Sequence, residues 1–382
     1  MITLPAADGT FYDHVPRDPV TWAKPSGPPT SRVAFAAAHV VADPLGDNSP
    51  GAPAVVDWDS TLAFRRHLWS YGLGVAEAMD TAQRGMGLDW ATTRELVRRS
   101  AAEAAHLGTR IAAGAGTDHT DATTLDDVVR AYTEQLDVVQ DAGAQAIVMA
   151  SRDLARLATT PADYRHVYDR ILPRTDAPVI LHWLGPVFDP ALTGYWGSTD
   201  VDEATTAFLD LVHHHADRVD GVKVSLLDAD HEKSLRADLP TGVRLYTGDD
   251  FAYPDLVKGD GAHHSDALLG IFAAIAPAAS AALQALDRGD EAAYDAAFAP
   301  TLPLARHVFG PPTYYYKTGI AFVSWLSGLQ PGFSMVAGLQ SARALPHLVK
   351  TYVLADAAGL LPDPDLAAHR VSTLLDVYGV AR

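Results

Sequence analysis

Short, nearly unbroken apolar runs alternate with amphipathic stretches along most of the chain. The first run is residues 32–40 (RVAFAAAHV), followed by a helical pattern over 59–72 with Leu62, Leu68 and Tyr71 near helical spacing. Residues 75–79 are short and apolar, and 89–107 read as a long helix capped by Asp89. The alternation continues with strands at 110–113 and 146–149 (AIVM) around a helix over 124–142 that ends at Gly143. Thr160 opens a further helix with Pro161 in its first position. Strands at 179–183 (VILHW), 221–224 (GVKV) and 243–247 (VRLYT) are separated by helices over 202–215 and 228–237. A short helical segment near Asp255, a strand over 266–272 and a helix over 277–286 complete the series.

Near-continuous apolar strands alternating with helices imply a parallel sheet covered on both faces. Eight such units predict an α/β fold, a closed (β/α)₈ TIM barrel. The rival, an open doubly wound sheet, is weakened because no G-x-G-x-x-G opens any helix. The Pro-, Gly- and Asp-rich residues 1–31 read as an N-terminal arm without regular structure, 32–290 as the barrel, and 291–382 as helices packed on it. That C-terminal helical appendage, with helical stretches at 319–326, 345–354 and 365–378, reads as no second catalytic domain.

Composition removes several function classes. The net charge of −18 repels phosphate backbones and anionic membrane surfaces, so neither nucleic acid nor membrane is expected as a partner. There is no cysteine, which excludes disulfides, zinc–thiolate sites and a cysteine nucleophile. The first residues lack a basic stretch leading into an apolar one, so no signal peptide is read there. The longest apolar run, 267–282, reads as strand, turn and helix rather than as a membrane span. A cytoplasmic protein is expected.

Barrels of this kind carry their chemistry at the C-terminal ends of the strands. The polar residues there are His39, Asp80, Thr81, Ser151, Arg152, His182, Lys223, Ser225, Asp249 and Asp250. Lys223 stands out, because lysine is depleted in strands and almost never buried unless paired. A low-dielectric barrel mouth disfavours its charged form and pushes it below the ordinary lysine range. The product is a neutral amine able to attack a carbonyl. The plainer alternative is a lysine paired with a barrel carboxylate such as Asp249.

The segment GVKVSLLD followed by Leu245-Tyr246-Thr247-Gly248-Asp249-Asp250 resembles the sixth and seventh strands of the dihydrodipicolinate synthase / N-acetylneuraminate lyase family. The resemblance extends to 178–183 as the fifth strand, 111–116 as the third and 270–277 as the eighth unit, and covers roughly residues 32–378. It implies that Lys223 is a Schiff-base lysine and that His182 stands where the family has a proton-shuttling tyrosine. Imidazole titrates near neutrality and suits that work, the alternative being a histidine hydrogen-bonded into the barrel. Other positions depart from the pattern and mark a divergent member. The carboxylate-holding turn after strand two reads Met79-Asp80-Thr81-Ala82-Gln83. The tyrosine pair after strand four is replaced by Ser151-Arg152-Asp153, and no arginine follows strand five.

The expected function is a lyase of the class I aldolase type, cleaving, condensing or dehydrating a small oxo acid or oxo sugar through an imine on Lys223, with no cofactor and no metal. Lys223 and His182 are the catalytic candidates. Asp80, Thr81, Gln83, Ser151, Arg152, Ser225, Asp249 and Asp250 are the substrate-binding ones, with Trp183 as a wall for a sugar ring. The acidic turn favours a neutral, polyhydroxylated compound over bare pyruvate, with Arg152 as the residue able to hold a carboxylate instead. A homo-oligomer is expected. One alternative is a divalent-metal sugar isomerase or epimerase using His39, Asp80, His182 and Asp249; another is an inactive carbonyl-binding barrel. His213-His214-His215 reads as a solvated helix end, His263-His264 as a loop, and 312–317 (PTYYYK) as a packing cluster opening a C-terminal helix.

Overall fold

The computed structural model describes residues 1–380. The described residues form ten strands: β1 (Ile2–Pro5), β2 (Phe11–His14), β3 (Ala34–Ala37), β4 (Gly74–Glu77), β5 (Ile111–Ala115), β6 (Gln145–Val148), β7 (Val179–Leu184), β8 (Val219–Ser225), β9 (Arg244–Thr247) and β10 (Asp266–Leu269). Strands β3 to β10 close into one parallel eight-stranded barrel, β10 pairing with β3. Each is followed by helix, as the alternation of apolar runs predicts. The helix starts follow from local chemistry. Asp89 caps Trp90–Leu107 by accepting from the Thr92 amide, and Thr124 and Asp127 form a reciprocal capping box before Leu125–Asp141. Pro277, taken from the sequence as a helix start, instead lies inside Phe272–Asp287, just after a kink at Ile275.

Two cores result. The larger lies between the outer face of the barrel and its helices; the smaller fills the barrel and contains Phe35, Ala76, Ala112, Ile147, Ile180 and Tyr246. Phe35 and Tyr246 meet edge to face, ring centroids 6.1 Å apart, and plug the interior. Glycines make the room: a Cβ on Gly74 would stand 2.6 Å from the Phe35 ring, and one on Gly221 2.6 Å from the Tyr246 ring. The Tyr246 hydroxyl donates to Asp220 at the start of β8 (2.6 Å), which fixes the plug at the N-terminal end of the barrel. The C-terminal end is thus left for other side chains.

The arm is a correction to the sequence reading. β1 and β2 form an antiparallel hairpin around Asp8-Gly9, with Asp8 accepting from the Thr10 amide at 3.0 Å. It clasps the helix Leu345–Ala357: His14 Nε2 lies 3.0 Å from Asp356 Oδ2, and the Arg17 amide donates to the same carboxylate at 3.1 Å. The appendage is helical, as the sequence predicts. Its helix Tyr316–Leu326 is buried almost all round and starts beside the short turn Asp80–Ala82 that follows β4. Among the described residues no helix is long and apolar enough to cross a membrane.

Candidate active site at the barrel mouth

Strand periodicity sorts the candidates into layers. On β7, Ile180 belongs to the interior plug, His182 points inward one layer higher, and Leu184 lines a cavity of about 280 Å³ at the mouth. On β8, Lys223 is the register partner of His182 on one side and of Tyr246 on the other. Lys223 and His182 therefore sit between the plug and the cavity. The cavity walls come from the loops after the strands and from the C-terminal helix, and include Asp80, Met86, Ser151, Arg152 and Lys317.

Lys223 is 5% exposed and is in no ion pair among the described residues. Burial pushes its ammonium below the ordinary lysine range, and the carboxylates of Asp80 and Asp250 oppose that shift without cancelling it. Gly248 clears its path: a Cβ there would stand 3.0 Å from Lys223 Cε and 2.7 Å from the Val224 carbonyl, and would press into the Ser225 hydroxyl. Asp250 accepts from the Ile271 amide (2.9 Å), and burial raises its carboxyl well above the usual range, against the pull of that hydrogen bond and of Lys223. His182 is held neutral by burial and then by Lys223. Its Nε2 is 3.3 Å from Ser225 Oγ, and its buried Nδ1 has no partner among the described residues.

Above this layer the Tyr316 hydroxyl bridges Asp80 Oδ2 (2.8 Å) and Thr81 Oγ1 (2.6 Å). The Tyr316 ring stacks on Phe309 with centroids 4.2 Å apart, so the phenol is fixed in place. Burial, and then Asp80, raise its ionisation well above the ordinary tyrosine range. Ser151 caps the helix Arg152–Leu157 and shares a 2.6 Å hydrogen bond with Thr117. Arg152 directs Nε to Asp189 at 2.6 Å.

Of the residues proposed from sequence, Lys223, His182 and Ser225 form the inner layer with Asp250. Asp80, Ser151 and Arg152 line the cavity. Thr81 is one step back, behind Tyr316. Three expectations are corrected. Gln83 has a left-handed backbone (φ +64°) and turns its amide to the Val336 carbonyl (2.7 Å), away from the mouth. Trp183 follows inward His182 and so faces outward, packing on Trp196, Phe208 and His231. Asp249 likewise follows inward Gly248, and caps the amides of Phe251 and Ala252 (2.8 and 3.0 Å). Nor does Asp249 pair with Lys223.

His39 packs edge to face on Phe64 and bonds Gln330 at 2.7 Å, behind the barrel wall. His39 and Asp249 are thus parted from Asp80 and His182, and the four do not converge on a metal. His214 and His215 do come together, with Asp169, their ligand atoms within 4.8 Å of one another. They lie at helix C-termini, hence on the face opposite the mouth, and His215 already bonds Asp169 (2.7 Å).

Tyr316 and Lys317 reach the candidate site, although the sequence reads them as a packing cluster. Lys317 is the one charged residue in an apolar helix, YKTGIAFVSWL, and that isolation was the available signal.

A family model described as a protein of unknown function (DUF993) matches residues 2–380. A sequence search of curated proteins gives no match. Among solved structures, the chloride-inhibited dihydrodipicolinate synthase of Acinetobacter baumannii complexed with pyruvate is similar at a TM-score of 0.65 and 18% identity, over 87% of this chain and 100% of that one. YagE, a prophage protein of the dihydrodipicolinic acid synthase family from E. coli K12 in complex with pyruvate, is similar at 0.64 and 14%, over 92% and 99%. The dihydrodipicolinate synthase of Oceanobacillus iheyensis is similar at 0.62 and 14%, over 91% and 97%. At these identities the likeness is one of fold, and it joins the C-terminal helices as well as the barrel.

Proposed function

The chain belongs to the DUF993 family, and from that premise and the layered barrel mouth we propose that it is a lyase of the class I aldolase type, working through an imine on Lys223. The observation that carries this reading is a buried, unpaired lysine on an inward strand position, beside a histidine kept neutral.

The neutral amine adds to the substrate carbonyl carbon, and the carbinolamine loses water to give the iminium. The iminium nitrogen then accepts the electron pair of the bond that breaks, so neither metal nor further cofactor is needed as electron sink. His182 takes the proton released as the amine adds and returns it to the departing hydroxyl. Its unpartnered Nδ1 leaves one nitrogen free to turn to substrate. Asp250, raised by burial, supplies a second proton within the field of Lys223. Tyr316, fixed between Asp80 and Thr81, holds the polar side of the mouth. The pyruvate complexes of the structural neighbours make a 2-oxo acid the first substrate to test, with oxo sugars beside it. A homo-oligomer is part of the same proposal.

The test is borohydride reduction with pyruvate, 2-oxoglutarate and dihydroxyacetone, followed by peptide mapping. A reduced adduct on Lys223, absent from Lys223→Met together with activity, is the expected result. An adduct on another lysine, or substantial turnover by Lys223→Met, would overturn the reading.

A further inference from the structure

Imine chemistry at Lys223 leaves one cation of the cavity wall unexplained. Lys317 stands in the first turn of Tyr316–Leu326, is 1% exposed and lines the cavity. Its ammonium has three donors, yet it reaches no oxygen acceptor among the described residues: it lies 3.1 Å from the Met86 thioether sulfur and 5.3 Å from the centroid of the Tyr316 ring. The other cations of the wall are engaged. Arg84 pairs with Asp118 (2.6 Å) and donates to the Gly114 carbonyl (2.7 Å), and Arg152 pairs with Asp189 (2.6 Å). Burial pushes the Lys317 ammonium below the ordinary lysine range; Asp80 opposes that shift through space, as an arriving anion would, but forms no ion pair with it, its Oδ2 accepting from Tyr316.

A buried ammonium without an oxygen acceptor destabilises the folded chain. Replacement by methionine of similar shape would remove that burden. The position is also wasted on solubility, since the helix around it is buried. A charge retained under those conditions and facing a cavity is matched by a ligand of opposite sign.

We propose that Lys317 binds an oxyanion of the substrate, at the end remote from the imine carbon. Arg152, across the same cavity, is the second cation available to it through its guanidinium NH₂ groups. The substrate class is then an oxo acid or acidic oxo sugar with an anionic group in the mouth and its carbonyl in the layer of Lys223. This deepens the imine reading, and the anion site itself stands apart from it. It also replaces the expectation of a neutral substrate, which rested on the acidic turn at Asp80 and knew nothing of Lys317.

Binding is measured by calorimetry with two unreactive probes, succinate and inorganic phosphate, on wild type, Lys317→Met, Lys317→Arg and Lys223→Met. Wild type and Lys223→Met should bind one of the probes; succinate preferred marks a carboxylate substrate, phosphate preferred a phosphorylated one. Lys317→Met should bind roughly tenfold or more weakly and Lys317→Arg recover most of the loss. Lys317→Met should also melt higher than wild type without anion, whereas an ammonium serving structure alone would make it melt lower. No binding of either probe up to about 10 mM, or equal binding by wild type and Lys317→Met, would overturn the proposal. Failure of the borohydride adduct on Lys223 would leave these measurements standing, so the two ideas fail separately.

Discussion

The phenol of Tyr316 donates a 2.8 Å hydrogen bond to Asp80 from 236 residues further along the chain. It ties the turn after the second barrel strand to the first turn of a C-terminal helix. Tyr316→Phe keeps the stacking on Phe309 and removes only the hydroxyl that links Asp80 to Thr81. We expect kcat to fall roughly 10²-fold with a smaller change in KM, in a protein that melts near wild type. An unchanged kcat would return Tyr316 to the packing role read from the sequence.

Gly248 is the point at which β9's extension closes on β8. Gly248→Ala forces a methyl group against the Ser225 hydroxyl and the Val224 carbonyl, next to Lys223 Cε. Overpacking of this kind destabilises by about 1–3 kcal/mol, and it displaces the lysine. Borohydride labelling of Lys223 should slow markedly in a variant that still folds. Labelling at the wild-type rate would mean that the lysine has room the geometry denies it.

Burial, and then the neighbouring Lys223, hold the His182 imidazole neutral well below its ordinary range. No limb of the kcat/KM profile near pH 6.5 should therefore belong to His182. His182→Phe should lower kcat by roughly 10²–10⁴ and leave the shape of that region unaltered. If the variant instead abolishes an acid limb there, the ring titrates in the folded protein and its assigned role as a neutral base is wrong.

Glu232 is buried behind β9, accepting from Ser265 (2.7 Å) and Thr247 (2.9 Å), and burial pushes its carboxyl up to about 7. Its unfolded value is near 4.5, so as pH rises the unfolded chain ionises first and the folded state loses stability until Glu232 itself ionises near 7. The stability present at low pH and lost across that window is roughly 3 kcal/mol. Glu232→Gln removes the dependence. The melting temperature of the variant relative to wild type should rise between about pH 5 and about pH 8; a constant difference would show that Glu232 keeps an ordinary pKa.

The barrel was legible because its strands are apolar on both faces and its helices begin at Asp89, Thr124 and Thr160, where side-chain oxygens meet free amides. Lys223 was legible for the same reason in reverse, as a charge where the pattern demands none. Trp183 and Asp249 were misjudged although the alternation of a strand already turns the neighbours of His182 and Gly248 outward. Gln83 needed its left-handed backbone, which no pattern of polarity reveals. The hairpin of the arm was announced only by Asp8-Gly9, between strands too short to show a period. Tyr316 and Lys317 were missed because sequence reading assigns the mouth of a barrel to the loops of its own strands, and these two residues arrive by tertiary packing from beyond the last one.

That arrival has a bearing on how the protein is born. All eight barrel strands leave the ribosome before Tyr316 and Lys317 do, and β1 and β2, made first, wait for the helix Leu345–Ala357 before they can dock. A nascent barrel thus carries Lys223 while the phenol and the second lysine are still unmade. On the mechanism proposed above, selectivity for an anion begins only once the late helices have settled on the mouth.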